Sequence, residues 1–193
     1  MKEARFLIRL SNLAGFQPRD QESLLVKARS LAASRQGQVI NLRVTPRALE
    51  FDLFCAPETP MDPFFEAWAA PLGLRLTCKR LDIPPPPVDA QSIVTEARQL
   101  FNDYRFWEVH EVLEGLWKER QGPEKQLIQG LILTAAALVH WQKNEVKVVW
   151  PMLQDAMRRL ENQPANYFGW DVAALRKHFS EAIYRREITD LDV

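Results

Sequence analysis

The run Pro84-Pro85-Pro86-Pro87 constrains this chain more than any other feature. Four consecutive prolines supply no backbone donors and fix φ, so they cannot continue a helix or a central strand, and they favour a stiff polyproline II spacer. The chain of 193 residues is therefore predicted to divide into a unit over 1–83, a linker over 84–88 and a second unit over 89–193. Before the run there are three more basic than acidic residues, and after it three more acidic than basic, for a net charge of zero. A zero net charge supplies no whole-protein field for nucleic acid or an anionic membrane.

The first unit alternates two periodicities. Phe6, Ile8 and Leu10 recur every second residue, as in a half-buried strand. Leu24, Leu25, Ala28, Leu31 and Ala32 recur at helical spacing behind Asp20, a predicted N-cap, and Gly37 is predicted to end that helix. Val39 to Thr45 and Ala48 to Cys55 read as strands joined at Pro46-Arg47. A short helix over 62–71 and a strand from Leu74 to Leu81 complete the order β-α-β-β-α-β, so the fold class is α+β with a ferredoxin-like first domain. Its strand order would separate Cys55 from Cys78 by one strand, beyond disulfide reach, which predicts two free thiols. If Phe6, Leu42, Phe51 and Leu76 face the helices, the other face carries Arg9, Arg43, Glu50, Asp52, Phe54, Arg75 and Lys79. One aromatic among interrupted basic groups is a poor platform for RNA, and a solvated face with cross-strand ion pairs is predicted instead.

The second unit reads as an all-α bundle of about five helices, at 89–101, 103–120, 123–142, 145–161 and 171–186. Leu127 to Val139 is apolar nearly all round, which predicts the central helix of the bundle. Gly122-Pro123 makes a short turn before it, so it should lie antiparallel to the preceding helix, with Gly130 opposite Glu114 and Thr134 opposite His110. The apolar stretch up to Trp141 contains Gln129, Gly130, Thr134 and His140, too short and too polar for a bilayer span. The N-terminus lacks the apolar core and cleavage site of a secretory signal, and two cysteines suit a reducing compartment; a cytoplasmic protein without membrane partners is expected.

The chemistry-bearing segment is Phe101 to Trp117. On a helical wheel His110 falls inside the apolar stripe of Phe106, Val109, Leu113 and Trp117, with Glu114 one turn on. Glu108 and Glu119 point away and are predicted to be solvated, while Glu111 lies on the flank. A carboxylate inside an apolar stripe costs several kcal/mol unless it has a partner. His110 and Glu114 could form a buried structural pair, a base with its orienter, or two ligands of a metal. Gln129, Thr134 and His140 are the polar groups the next helix could add to that cluster.

The pattern His110-xxx-Glu114-xx-Trp117, with Phe101-Asn102, Phe106-Trp107-Glu108, Glu111, Gln129-Gly130-Leu131-Ile132, Ala135-Ala136 and His140, resembles the domain of unknown function (DUF) 309 family over about residues 95–175. The resemblance implies a compact helical domain of about five helices in a prokaryotic protein, with His110, Glu114 and Trp117 as candidate active-site residues. The sequence departs from the family at Leu133, where glutamine is frequent, and at Lys143 before Asn144, where glycine is usual.

Three readings of function follow, in this order. The first is a non-catalytic interaction or scaffold protein with a buried His110–Glu114 pair, the first domain serving homo-oligomer formation. The second is a hydrolase-like enzyme with His110 as base, Glu114 as orienter or metal ligand, and Trp117 as a pocket wall. The third is an RNA-associated protein acting through the first domain.

Overall fold

A computed structural model describes residues 3–82 and 89–189; the proline linker at 84–88 lies outside the described residues. The chain falls into two compact units, one up to Pro86 and one from Pro87, with Gln142–Asn144 grouped with the first. Among the described residues are seven α-helices and a four-stranded antiparallel sheet.

In the first unit, β1 (Ala4–Ser11), α1 (Gln21–Ala33), β2 (Gln38–Val44), β3 (Ala48–Cys55), α2 (Asp62–Ala69) and β4 (Arg75–Arg80) follow the predicted order. The sheet order is β2-β3-β1-β4. Alternation decides the faces: Ile8 pairs with Phe51 and Leu10 with Leu49, while the intervening Arg9 pairs with Glu50. The inward set, with Leu42 and Leu53, packs with Leu24, Ala28 and Ala32 of α1 and Phe64, Phe65 and Trp68 of α2. Trp68 meets Phe51 edge-on at 4.8 Å between ring centroids.

Local chemistry adjusts the predicted ends. Asp20 precedes α1, but its carboxylate accepts from the Gln17 backbone N–H and closes a 3₁₀ turn over Pro18–Asp20, so the helix end is not side-chain capped. The left-handed residue after α1 is Gln36, not Gly37. Gly37 is required for another reason: a Cβ there would lie 2.6 Å from the Phe64 ring. Cys55 and Cys78 are both free, on the two strands that flank β1.

The sheet's second face departs from expectation. Arg43, Glu50 and Asp52 are buried, at 1%, 0% and 1% exposure. Arg9 and Arg43 reach Glu50 at 2.9 and 3.5 Å, and Arg5 and Arg43 reach Asp52 at 3.3 and 3.7 Å. The predicted cross-strand ion pairs are present, but they are buried rather than solvated. Opposite charges on adjacent strands made that burial tolerable, because each carboxylate has two cationic partners. Leu76 is also not inward-facing: the β1–β4 register slips there, pairing Arg9 with Thr77 and Leu10 with Arg75, and Leu76 is left half exposed.

The second unit contains α3 (Ala90–Asn102), α4 (Phe106–Glu119), α5 (Gly122–Gln142), α6 (Val146–Leu160) and α7 (Val172–Arg185). Asp89 caps α3, its carboxylate accepting from the Ser92 N–H at 3.0 Å and the Ser92 hydroxyl at 2.6 Å. Left-handed Tyr104 ends α3 and lets α4 begin at Phe106. Phe101, Tyr104, Phe106, Trp170 and Phe179 form the aromatic part of the core, and Leu127, Ile128, Leu131 and Leu138 of α5 are buried as its periodicity predicts.

Gly130 sets a close approach between α5 and α6, not between α5 and α4 as expected: a Cβ there would lie 2.6 Å from Leu160 Cγ and 3.3 Å from the Ala156 carbonyl. The unit is also not wholly helical. Asn166–Tyr167 and Trp170–Asp171 pair as a hairpin, β5 and β6, around left-handed Phe168 and Gly169, and Arg98 of α3 donates to the Gly169 carbonyl at 2.7 Å. No helix of the described residues is long and apolar enough to cross a membrane.

Candidate functional site

The site is built on one helix. Residues four apart on α4 lie one above the other, so His110 and Glu114 share a flank with Glu111 beside them. One ligand atom from each of the three, a ring nitrogen and two carboxylate oxygens, lies within 4.8 Å of the others. His110 Nδ1 is 3.4 Å from Glu111 Oε1, and Glu114 Oε1 is 3.4 Å from Lys118 Nζ, one further turn along.

His110 and Glu114 are each more than half covered and share one polar cluster, as expected, but neither is closed off from water. The side chains of His110, Glu111 and Glu114 are 33%, 46% and 40% exposed. The wheel placed His110 inside the apolar stripe, but that stripe is carried by Phe106, Val109, Leu113 and Leu116, which are buried, and His110 sits on its margin. Carboxylates 46% and 40% exposed keep contact with water, so Glu111 and Glu114 need no buried partner.

The buried charge of α4 is instead Glu108, predicted to be solvated and found 2% exposed. Arg105, at the helix N-terminus, forks onto it with bonds of 2.7 and 2.8 Å. The bidentate geometry satisfies both carboxylate oxygens and makes this burial tolerable. The i, i+3 spacing of Arg105 and Glu108 was the available signal in the sequence, outweighed there by the wheel angle of Glu108 alone.

Trp117 lies one turn beyond Glu114, partly buried, with the Lys125 ammonium of α5 4.3 Å from its ring centroid. Two of the polar groups expected from α5, Thr134 and His140, have other engagements. The buried Thr134 hydroxyl donates to the Gly130 carbonyl of its own helix at 2.9 Å, and His140 Nδ1 pairs with Glu145 Oε2. The three-residue cluster is therefore drawn from α4 alone, with Glu111, set aside in the sequence as a flank residue, as its third member.

A family model described as a domain of unknown function, DUF309, matches residues 94–151. An uncharacterized protein of Aquifex aeolicus (strain VF5) is 27% identical over 97 residues, 50% of this chain and 29% of that protein, so the chain spans less than a third of that relative's length. The crystal structure of a conserved hypothetical protein from Thermus thermophilus is 34% identical, covering 47% of this chain and 94% of that one, with a TM-score of 0.42. The matched residues contain His110, Glu111, Glu114 and Trp117.

Proposed function

From the premise that this chain belongs, through residues 94–151, to the DUF309 family, we propose that its helical unit binds a divalent first-row metal ion through His110, Glu111 and Glu114 and supports hydrolase-like chemistry there. The observation that carries this reading is the set of three ligand atoms within 4.8 Å of one another on half-exposed side chains. Bonds of about 2.0–2.2 Å place the ligands of one such ion up to about 4 Å apart, a difference that rotation of half-exposed side chains closes. One imidazole and two carboxylates suit zinc, manganese or iron(II). Three protein ligands leave coordination positions for water and substrate, the arrangement of catalytic rather than structural sites. An ion so held would supply Lewis-acid chemistry and would lower the pKa of a bound water. His110 and the two glutamates hold and orient it, and Trp117 is a wall of the adjoining surface.

The scaffold reading needs a closed His110–Glu114 pair, and side chains 33% and 40% exposed leave that pair in contact with water. The RNA reading needs an open charged face on the sheet, whereas Arg43, Glu50 and Asp52 are buried and paired among themselves. On the same footing as the metal site, we read the first unit as a ferredoxin-like domain, supported by the strand order β2-β3-β1-β4. The proline run is read as a linker between separate domains, and two free cysteines support a cytoplasmic setting.

Calorimetric titration of the full chain with Zn²⁺ or Mn²⁺, beside denaturant melts, tests the metal reading. Wild type should bind one ion, and His110→Ala should weaken binding by at least about tenfold, the lower range for loss of a metal-site group, with stability within about 0.5 kcal/mol of wild type. A His110→Ala protein that binds as well as wild type, or that loses several kcal/mol of stability, overturns it.

A further inference from the structure

We propose that the α4 cluster takes a phosphate group as its ligand, and that Lys118 is the residue that recruits it; the inference rests on the metal reading of His110, Glu111 and Glu114. Lys118 Nζ stands 3.4 Å from Glu114 Oε1, and its side chain is 64% exposed. An exposed i, i+4 ion pair of this kind is weak and easily exchanged. The oxygen that faces Lys118 belongs to a proposed metal ligand, so a bound divalent ion and the Lys118 ammonium compete for one carboxylate.

The charge balance gives that competition a consequence. A neutral imidazole and two carboxylates cancel the charge of a divalent ion, so the loaded ring of ligands is neutral and attracts no anion over long range. Release of Lys118 from Glu114 leaves one uncancelled positive charge a single helical turn from the ion. An ammonium with three donors is a phosphate binder that acts as a point charge. A tetrahedral phosphate can give one oxygen to the ion and keep others for the ammonium. A carboxylate can also give one oxygen to each, but it carries one negative charge where a phosphate group carries about two near neutral pH. Ion and lysine together therefore select a phosphate-bearing ligand, and the lysine is available to it once the ion has replaced it on Glu114.

Cobalt(II) absorbance separates the two levels of the proposal. The full chain is titrated first with Co²⁺, then, once loaded, with inorganic phosphate and separately with acetate. Lys118→Met should raise Co²⁺ affinity by about twofold, the scale of a lost i, i+4 competitor. It should weaken phosphate binding to the loaded protein by at least about fivefold, the scale of one charge-assisted hydrogen bond at an exposed site. Lys118→Arg should restore phosphate binding to within about twofold, since the charge and donors return. Failure of wild type to bind Co²⁺ overturns the metal reading and this inference with it. Co²⁺ binding with phosphate affinity unchanged in Lys118→Met overturns this inference alone, as does acetate binding as tight as phosphate.

Discussion

Arg43, Glu50 and Asp52 in the sheet and His110, Glu111 and Glu114 on α4 are both compact clusters of ionisable side chains, in opposite surroundings. In the sheet the carboxylates are buried, and each has two guanidinium groups within 3.7 Å. On α4 the carboxylates are half exposed, with a histidine and a flexible lysine at 3.4 Å among their neighbours. Burial demands partners of opposite charge, because an unpaired charge in a low-dielectric interior costs several kcal/mol. Exposure removes that demand and leaves lone pairs to exchange between water, lysine and a ligand. Carboxylates thus belong to a structural cluster in one unit and to a candidate binding cluster in the other. Arg105 and Glu108 repeat the buried arrangement within α4 itself, directly before the exposed trio.

The largest expected effect tests the buried side of this contrast. Arg43→Met removes the guanidinium shared by Glu50 and Asp52 and should cost about 3 kcal/mol, the low end for a broken buried pair because Arg9 and Arg5 remain. A denaturant midpoint equal to wild type would show that burial has not made these charges interdependent. Within α4 the contrast sharpens to residues three apart. Glu108→Ala should cost about 2 kcal/mol through loss of charged hydrogen bonds to Arg105, whereas Glu111→Ala should fall within about 0.5 kcal/mol of wild type. Similar losses in the two variants would erase the distinction drawn from exposure.

The smallest effect concerns Asp89, fully exposed and bonded to Ser92. The Ser92 hydroxyl, and then its backbone N–H, hold the Asp89 carboxyl below its ordinary value. A lowered folded-state value means that the cap contributes fully above the unfolded value of about 3.9 and is lost as pH falls through the lower, folded one. Amide exchange in the first turn of α3 should therefore quicken as pH drops below about 4, relative to the intrinsic rate, and Asp89→Ala should remove that dependence. Protection that persists at pH 2 would show that the cap is not what orders this turn.

Much of the architecture was legible in the residues. The period-2 pattern of Phe6, Ile8 and Leu10, the apolar run of α5 and the capping Asp89 act within a few residues of themselves, so spacing alone locates them. His110, Glu111 and Glu114 share one helix, so their proximity was also implicit in i, i+1 and i+4 spacing. The short hairpin around Phe168-Gly169 carried no such signal: two-residue strands are too short to show alternation.

Tertiary structure decided which groups are covered and what they meet. Wheel angles treat a helix as if one neighbour covered one sharp-edged face, so Glu108 was assigned the wrong side of the boundary and His110, at its margin, too deep a place inside it. Covered Glu108 is matched by Arg105, while His110 keeps a third of its side chain in water. In the same way the pleat could place Arg43, Glu50 and Asp52 on one face, but not their depth. Periodicity is a property of a single segment and is written in its residues. Burial depends on the surfaces that other segments bring to it, and those exist only once the chain has folded.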